Sequence, residues 1–247
     1  MTFHRIAYEA LDVCNAVEMT TLDDAVARTG LAPGARALDI GSGNGAVAVR
    51  QAGRFGLIVD TVELDPDMAD LAAKRIAASG ARDRVTLHRT TSEAVLSAAA
   101  PFDLITALGV TEPVGGGVRD PCGMFRGLAA HLTPGGWLLW GDLTWMSEPS
   151  EPLRQLVELN NTYADHEGWQ AAAREGGLEV VTALTSPASL WDRYGETMQT
   201  AVGDWLADNP DHPDAPDVRT RAHQLALMFQ FGQGVLGFGL YLLRRPI

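Results

Sequence analysis

Cysteine is scarce: Cys14 and Cys122 are the only two in 247 residues. A disulfide framework is thereby excluded, and free thiols in a reducing compartment are the expectation. Long apolar runs are missing as well. The segment Met1-Thr2-Phe3-His4-Arg5-Ile6 has no signal-peptide core, and nothing approaches the roughly 20 uninterrupted apolar residues of a membrane span. A cytoplasmic protein with no membrane partner is expected. There is no basic patch either. The arginines are scattered, Arg244-Arg245 is an isolated pair, and the formal net charge is -12. Such a surface repels a phosphate backbone and argues against nucleic acid as a partner. The six histidines lack metal-ligand spacing and the aspartates around Asp211 lack an EF-hand pattern, so no metal is expected. No internal repeat is visible.

What is present is enough for a full core. With 46% hydrophobic and 20% charged residues, the chain reads as one domain over residues 1–247, with insertions. Strand-like runs at Arg36 to Ile40, Leu57 to Leu64, Arg84 to His88, Phe102 to Leu108 and Gly136 to Gly141 alternate with helical stretches at Ala46 to Phe55 and Pro66 to Ser79. That alternation predicts a doubly wound α/β fold with a parallel sheet. Asp65 suits an N-cap, and Pro66 a first helical turn. Ahead of the sheet, residues 1–30 form one or two helices that can cap a site at the strand ends. After Asp142, helices at Glu151 to Asp165 and Glu167 to Glu175 precede a strand at Leu178 to Leu184. The region Ala188 to Phe231 is helical, interrupted by the proline-rich tract Asn209 to Asp217, and Val235 to Leu243 is a final strand. Residues 143–231 thus read as helical insertions around a sixth strand, forming a substrate lid.

The chemistry centres on Asp39-Ile40-Gly41-Ser42-Gly43-Asn44-Gly45, a glycine loop between a strand and a helix. Gly41, Gly43 and Gly45 permit a tight turn and close ligand approach, and the helix start presents backbone N–H groups. With Ala46 the string also satisfies the dinucleotide fingerprint, so a nicotinamide-dependent oxidoreductase is one reading. Asp39 opposes it, because a carboxylate there suits a ligand with an ammonium and a sulfonium better than a pyrophosphate. Glu63, which closes the next strand, can accept hydrogen bonds from both ribose hydroxyls under either reading.

Ala37 to Gly45 resembles motif I of the class I S-adenosylmethionine (SAM)-dependent methyltransferases. Val62-Glu63-Leu64-Asp65-Pro66-Asp67-Met68 resembles the ribose-binding strand end that follows in that family, Phe102 to Ala107 its fourth strand, and Leu132 to Leu139 the turn into its fifth. The four motifs cover roughly residues 31 to 142. The resemblance implies a Rossmann-like seven-stranded sheet with an antiparallel last strand and SAM as cofactor. It sets Asp39, Gly41, Ser42, Gly43 and Gly45 against the methionine part and Glu63 and Asp65 near the ribose. Leu64, Met68 and Leu108 become apolar neighbours. At the place that usually meets the adenine amine, this chain has Thr90-Thr91-Ser92.

The second half is similar to a group of bacterial small-molecule methyltransferases. The likeness rests on Trp191-Asp192-Arg193-Tyr194, Asn209 to Ala215, Gly237 to Tyr241, Asn15 and Gly109 to Glu112, although such proteins often carry His in place of Glu112. Ligands in this fold meet beyond the strand ends, which makes Glu112 and Asp142 candidate catalytic residues and Tyr8, Asn15, Trp145, Trp191 and Tyr194 candidate substrate contacts. The expected activity is methyl transfer to an oxygen, nitrogen or sulfur of a small-molecule acceptor, mainly by positioning and desolvation. A SAM-binding protein that uses the sulfonium for regulation or another reaction is the alternative, since motif I contains no reacting group.

Overall fold

A computed structural model describes residues 1–159 and 161–247. Its seven strands are β1 (Arg36–Ile40), β2 (Ile58–Val62), β3 (Val85–His88), β4 (Phe102–Leu108), β5 (Leu132–Trp145), β6 (Glu179–Thr185) and β7 (Leu236–Arg244). They form one sheet in the order β3-β2-β1-β4-β5-β7-β6. β1 to β5 are mutually parallel, and β7 runs antiparallel to both β5 and β6. The sheet reverses its building direction at β1 and β4, where open α/β sheets place their ligand crevice.

Alternate residues of the strands feed two cores. Leu38, Ile40, Ile105, Leu138 and Trp140 face one side, where α5 (Ser92–Ala98), α6 (Pro121–Ala130) and α8 (His166–Glu175) supply Leu96, Phe125 and Trp169. Ala37, Leu104, Leu139 and Leu240 face the other, covered by α2 (Met19–Thr29) and α3 (Ala46–Phe55) through Leu22, Val26, Val47 and Ala52. α4 (Pro66–Ala78) starts as its sequence foretells, with the Asp65 carboxylate accepting the N–H groups of Asp67 and Met68. A third, smaller core joins the first helix, α1 (Phe3–Glu9), to α9 (Ala188–Asp208) and α10 (Ala215–Gly232) through Ile6, Ala7, Met198, Val202 and Val218. This core ties the N-terminal helix to the C-terminal insertion.

Three local expectations need correction. The expected helix Glu151 to Asp165 stops early, as α7 (Glu151–Val157). Asn160, inside that expected helix, lies outside the described residues. Residues 161–165 instead run beside β5, where the Trp145 N–H donates to the Ala164 carbonyl at 3.2 Å and Trp145 bridges Asp165. β5 is longer than its sequence pattern suggests, because Trp137 to Trp145 all pair with β7. Helices α5 and α6 escape the sequence pattern altogether. α6 nevertheless carries the same signal as α4: the Asp120 carboxylate caps the Gly123 N–H at 2.7 Å, and Pro121 stands in the first turn. Among the described residues no helix is long and apolar enough to cross a membrane.

Candidate active site

The C-terminal ends of β1, β2 and β4 open into a cavity of about 560 Å³ that α1 and the residues after it cover. Its floor is the glycine loop. Gly41 and Gly43 have φ values of 68° and 53°, a region that side chains disfavour. A Cβ on Gly41 would stand 2.9 Å from Val110, and one on Gly43 would stand 2.9 Å from the Cys14 sulfur. The loop therefore approaches the cap as closely as bare backbone allows. Gly45 does not line the cavity; it packs on the α4 backbone at Ala72, where a Cβ would lie 3.0 Å from Cα.

Glu63 stands on the rim and organises it. Its carboxylate accepts the Gly43 N–H at 2.8 Å and the Asp65 N–H at 2.9 Å, tying the loop to the end of β2. Burial pushes its pKa up, and the N–H groups of Asp65, Gly43 and Leu64 oppose that shift. Leu64, 68% exposed, and the buried Met68 add apolar wall on one side. Thr91 and Ser92 line the wall opposite; the Thr91 hydroxyl also caps α5 by accepting the Ala94 N–H at 3.3 Å.

Asp39 is set one layer back. It is 3% exposed, does not line the cavity, and accepts the Thr61 hydroxyl at 3.2 Å. Burial pushes its pKa up to about 7; Thr61 opposes the shift and the nearby Glu63 adds to it. Ser42 is buried as well, with its hydroxyl unpartnered and its N–H donating to the Val62 carbonyl at 2.9 Å.

The cap closes the cavity from above. Tyr8 and Asn15 line it, and the Asn15 amide donates to the Leu108 carbonyl at 3.2 Å. Sequence reasoning missed His4 and Cys14 in this wall. Burial lowers the His4 pKa and pushes the Cys14 thiol up to about 12, so Cys14 remains a thiol. Neither residue carries a motif; only the path of the chain brings it here. Leu108, Gly109 and Glu112 bring the end of β4 into the wall. Glu112 is the one non-glycine residue with positive φ among the described residues, at 52°, and its carboxylate pairs with Arg119. A glutamate held in that conformation stores strain that a glycine there would not.

Besides Asp39, Ser42 and Gly45, four more sequence candidates lie off the cavity. Asp142 is buried at the end of β5. Trp145 donates its indole N–H to Glu158 at 3.3 Å, and Trp191 stacks on Phe229 with ring centres 5.0 Å apart. Tyr194 stands behind Tyr8 and donates to the Cys14 carbonyl at 3.3 Å. The tryptophan-rich face of α9 is thus packing that supports the cap, because its regular spacing turns it into the bundle with α1 and α10.

Comparison with known proteins agrees with this geometry. The family described as "Methyltransferase domain" matches residues 38–138. A SAM-dependent methyltransferase from Geobacter sulfurreducens, solved in complex with S-adenosyl-L-homocysteine, superposes with a TM-score of 0.83 at 27% identity, over 98% of this chain and 96% of that one. The chain belongs to the class I SAM-dependent methyltransferases. It is 26% identical to the uncharacterized protein YjhP of Escherichia coli strain K12 over 85% of each chain. It is also 28% identical to the 27-O-demethylrifamycin SV methyltransferase of Amycolatopsis mediterranei, over 74% of this chain and 72% of the relative. A methyltransferase of this class needs room for a cationic sulfonium cofactor. Two carboxylates flanking a loop that presents bare backbone at Gly41 and Gly43, with the buried Ser42 hydroxyl unpartnered, suit such a group. Among the described residues no cluster could hold a metal ion.

Proposed function

We propose that this methyltransferase transfers the SAM methyl group to an oxygen, nitrogen or sulfur of a small-molecule acceptor, within a single cytoplasmic domain. The observation that carries this reading is Glu63, on the rim of the cavity, with one hydrogen bond already on each carboxylate oxygen and lone pairs left for two ribose hydroxyls. Gly41, Ser42, Gly43 and Gly45 then shape the loop against the amino-acid part, and Asp39 supplies negative potential from behind it. Leu64, Asp65, Met68, Thr91, Ser92 and Leu108 enclose the adenosine. Bound SAM supplies a methyl carbon on a positive sulfur: the acceptor lone pair makes the new bond, the sulfur keeps the old bonding pair, and the acceptor sheds one proton.

The protein's part is placement and exclusion of water. Tyr8 and Asn15, on the cap of residues 1–30, cover the cavity, while Trp145, Trp191 and Tyr194, within insertions 143–231, hold that cover in place. Glu112 meets the acceptor at the mouth. The net charge of -12 supports a partner other than nucleic acid, and the rifamycin-type relative supports a small molecule. Calorimetric titration with S-adenosylhomocysteine, followed by mass spectrometry of metabolite mixtures incubated with labelled SAM, tests the reading. Binding and a product heavier by one methyl group are expected; folded protein that binds neither SAM nor S-adenosylhomocysteine refutes it.

A further inference from the structure

Three polar side chains interrupt the apolar layer under α3. Asp39 of β1 is in register with Thr61 of β2 on one side and Thr106 of β4 on the other, so all three point to the face that Ala37, Val59 and Leu104 make apolar. All three are buried. Gln51 of α3 engages Thr106, its side-chain amide donating to the hydroxyl at 2.7 Å. Asp39 is left with Thr61, whose hydroxyl donates to the carboxylate at 3.2 Å and also reaches the Asp39 carbonyl at 3.5 Å. Among the described residues Asp39 has no ion-pair partner. The titratable groups that act with it are Glu63, at the end of β2, and Cys14, in the cap, both acids; Arg75 of α4 acts on Cys14 and not on Asp39, and β4 and α3 bring only Thr106 and Gln51.

A carboxylate taken out of water beside a single neutral donor is costly, and a carboxyl so placed keeps its proton above the usual carboxylate range. Burial accordingly holds Asp39 up to about 7. The next two residues, Ile40 and Gly41, line the cavity, so a positive partner enters beside Asp39 from that side. SAM brings both an ammonium and a sulfonium. In a buried setting their attraction for a charged Asp39 is weakly screened and acts across the intervening backbone. The Asp39 proton then passes to solvent, and the carboxylate left behind balances the bound cation. Thr61 acts on the same equilibrium, because a hydroxyl that donates to the carboxylate stabilises the charged form.

We propose that Thr61 is a positioning residue for cofactor binding: through its hydroxyl it holds the Asp39 carboxyl behind the glycine loop and sets the pH at which that carboxyl releases a proton as SAM enters. The inference rests on SAM as the cofactor and is independent of the acceptor. It makes cofactor affinity a function of pH through a residue that never touches the cofactor.

The test is calorimetric titration of the full chain with SAM from about pH 6 to about pH 9, in pairs of buffers that differ in ionisation heat. The parent is expected to bind about tenfold more weakly near pH 6 than near pH 8, because only the deprotonated fraction is competent, and to release about one proton per SAM at the acid end. Thr61→Val removes the donor at nearly constant volume. It is expected to move the midpoint of the affinity profile up by about one pH unit and to leave affinity near pH 9 within about twofold of the parent. Thr61→Ser, which restores the hydroxyl, should restore the parental midpoint. The amine of SAM titrates alike against every variant, so differences between variants belong to the protein. Should Thr61→Val not fold, Asp39→Asn decides: the buffer-dependent proton release at the acid end is expected to vanish. An unmoved midpoint in Thr61→Val, an equal loss of affinity at every pH, or proton release that persists in Asp39→Asn overturns the proposal while SAM remains the cofactor. Folded parent that binds no SAM at any pH overturns the cofactor and this role together.

Discussion

The side-chain amide of Asn44 donates to the Leu11 carbonyl at 2.8 Å and also reaches the Tyr8 carbonyl at 3.3 Å, while its oxygen accepts the Ala46 N–H at 3.0 Å. One buried residue of the glycine loop therefore starts α3 and fastens the N-terminal cap over the cavity. Cap closure and loop geometry are coupled through it.

That coupling predicts the behaviour of Asn44→Ala. The loop keeps its glycines, but the cap loses both of its Asn44 ties to the loop. Affinity for S-adenosylhomocysteine is expected to fall about tenfold, the equivalent of one to two lost hydrogen bonds. Hydrogen exchange in residues 10–18 is expected to quicken, with the sheet unchanged. Exchange that quickens uniformly would indicate general destabilisation and contradict the coupling.

The Asn44 contact also marks where sequence reading stops. The succession of strands and helices and the glycine loop were legible, because they depend on local periodicity and on residues such as Gly41 and Pro66 whose backbone preferences are strong. The antiparallel last strand was implied only by the family resemblance, and the strand order depends on long-range pairing that no local pattern carries. Tyr8 and Asn15 were legible as cover for the cavity, but His4 and Cys14 were not, since nothing in their neighbours distinguishes a cavity wall from a packed helix. Trp191 and Tyr194 show the converse. An aromatic stripe reads the same whether it faces a ligand or another helix, and here α1 and α10 claim it.

Glu63→Ala is expected to weaken S-adenosylhomocysteine binding by about 1 to 3 kcal/mol, through the loss of charged hydrogen bonds. Glu63 also anchors the N–H groups of Gly43 and Asp65, so Glu63→Gln, which keeps one acceptor oxygen, should retain part of the affinity. Isothermal calorimetry separates the three proteins. Equal affinity in all of them would remove Glu63 from the site.

Two glycines give opposite stability predictions. Gly45 has φ of 77° and a prospective Cβ 3.0 Å from the Ala72 Cα, so Gly45→Ala meets backbone and strain together. A loss of about 1 to 3 kcal/mol is expected. Gly203 lies inside α9, and a methyl added there would meet nothing within 4 Å. Gly203→Ala should therefore add about 0.5 to 1 kcal/mol by helix propensity and unfolded-state entropy. Urea unfolding of both variants reads the difference in sign.

Glu112→Gly separates function from fold at the cavity mouth. The substitution relieves a positive φ of 52° and gives up a partly exposed pair with Arg119. Such pairs contribute about 0 to 1 kcal/mol, so thermal stability should hold or rise slightly. Acceptor turnover should fall while S-adenosylhomocysteine affinity holds. A marked drop in melting temperature would mean that the Arg119 pair is what secures the loop.

The buried acids set a pH dependence with an unusual sign. Burial raises Asp39 to about 7 and Asp142 to about 8, both far above an unfolded carboxyl at 3.8. Between those limits the folded chain keeps protons that the unfolded chain has released. Stability from these two groups is therefore greatest below the unfolded value and declines as pH rises through the folded ones. Asp142→Asn removes one source of that decline. The variant and the parent should melt together near pH 4, and the variant should melt higher by a few degrees near pH 9, a window fixed by the 3.8 and 8 limits of Asp142. Scanning calorimetry across that range makes the comparison. A difference in melting temperature that stays constant with pH would show that Asp142 carries its charge throughout, and would place a cation of the protein beside it.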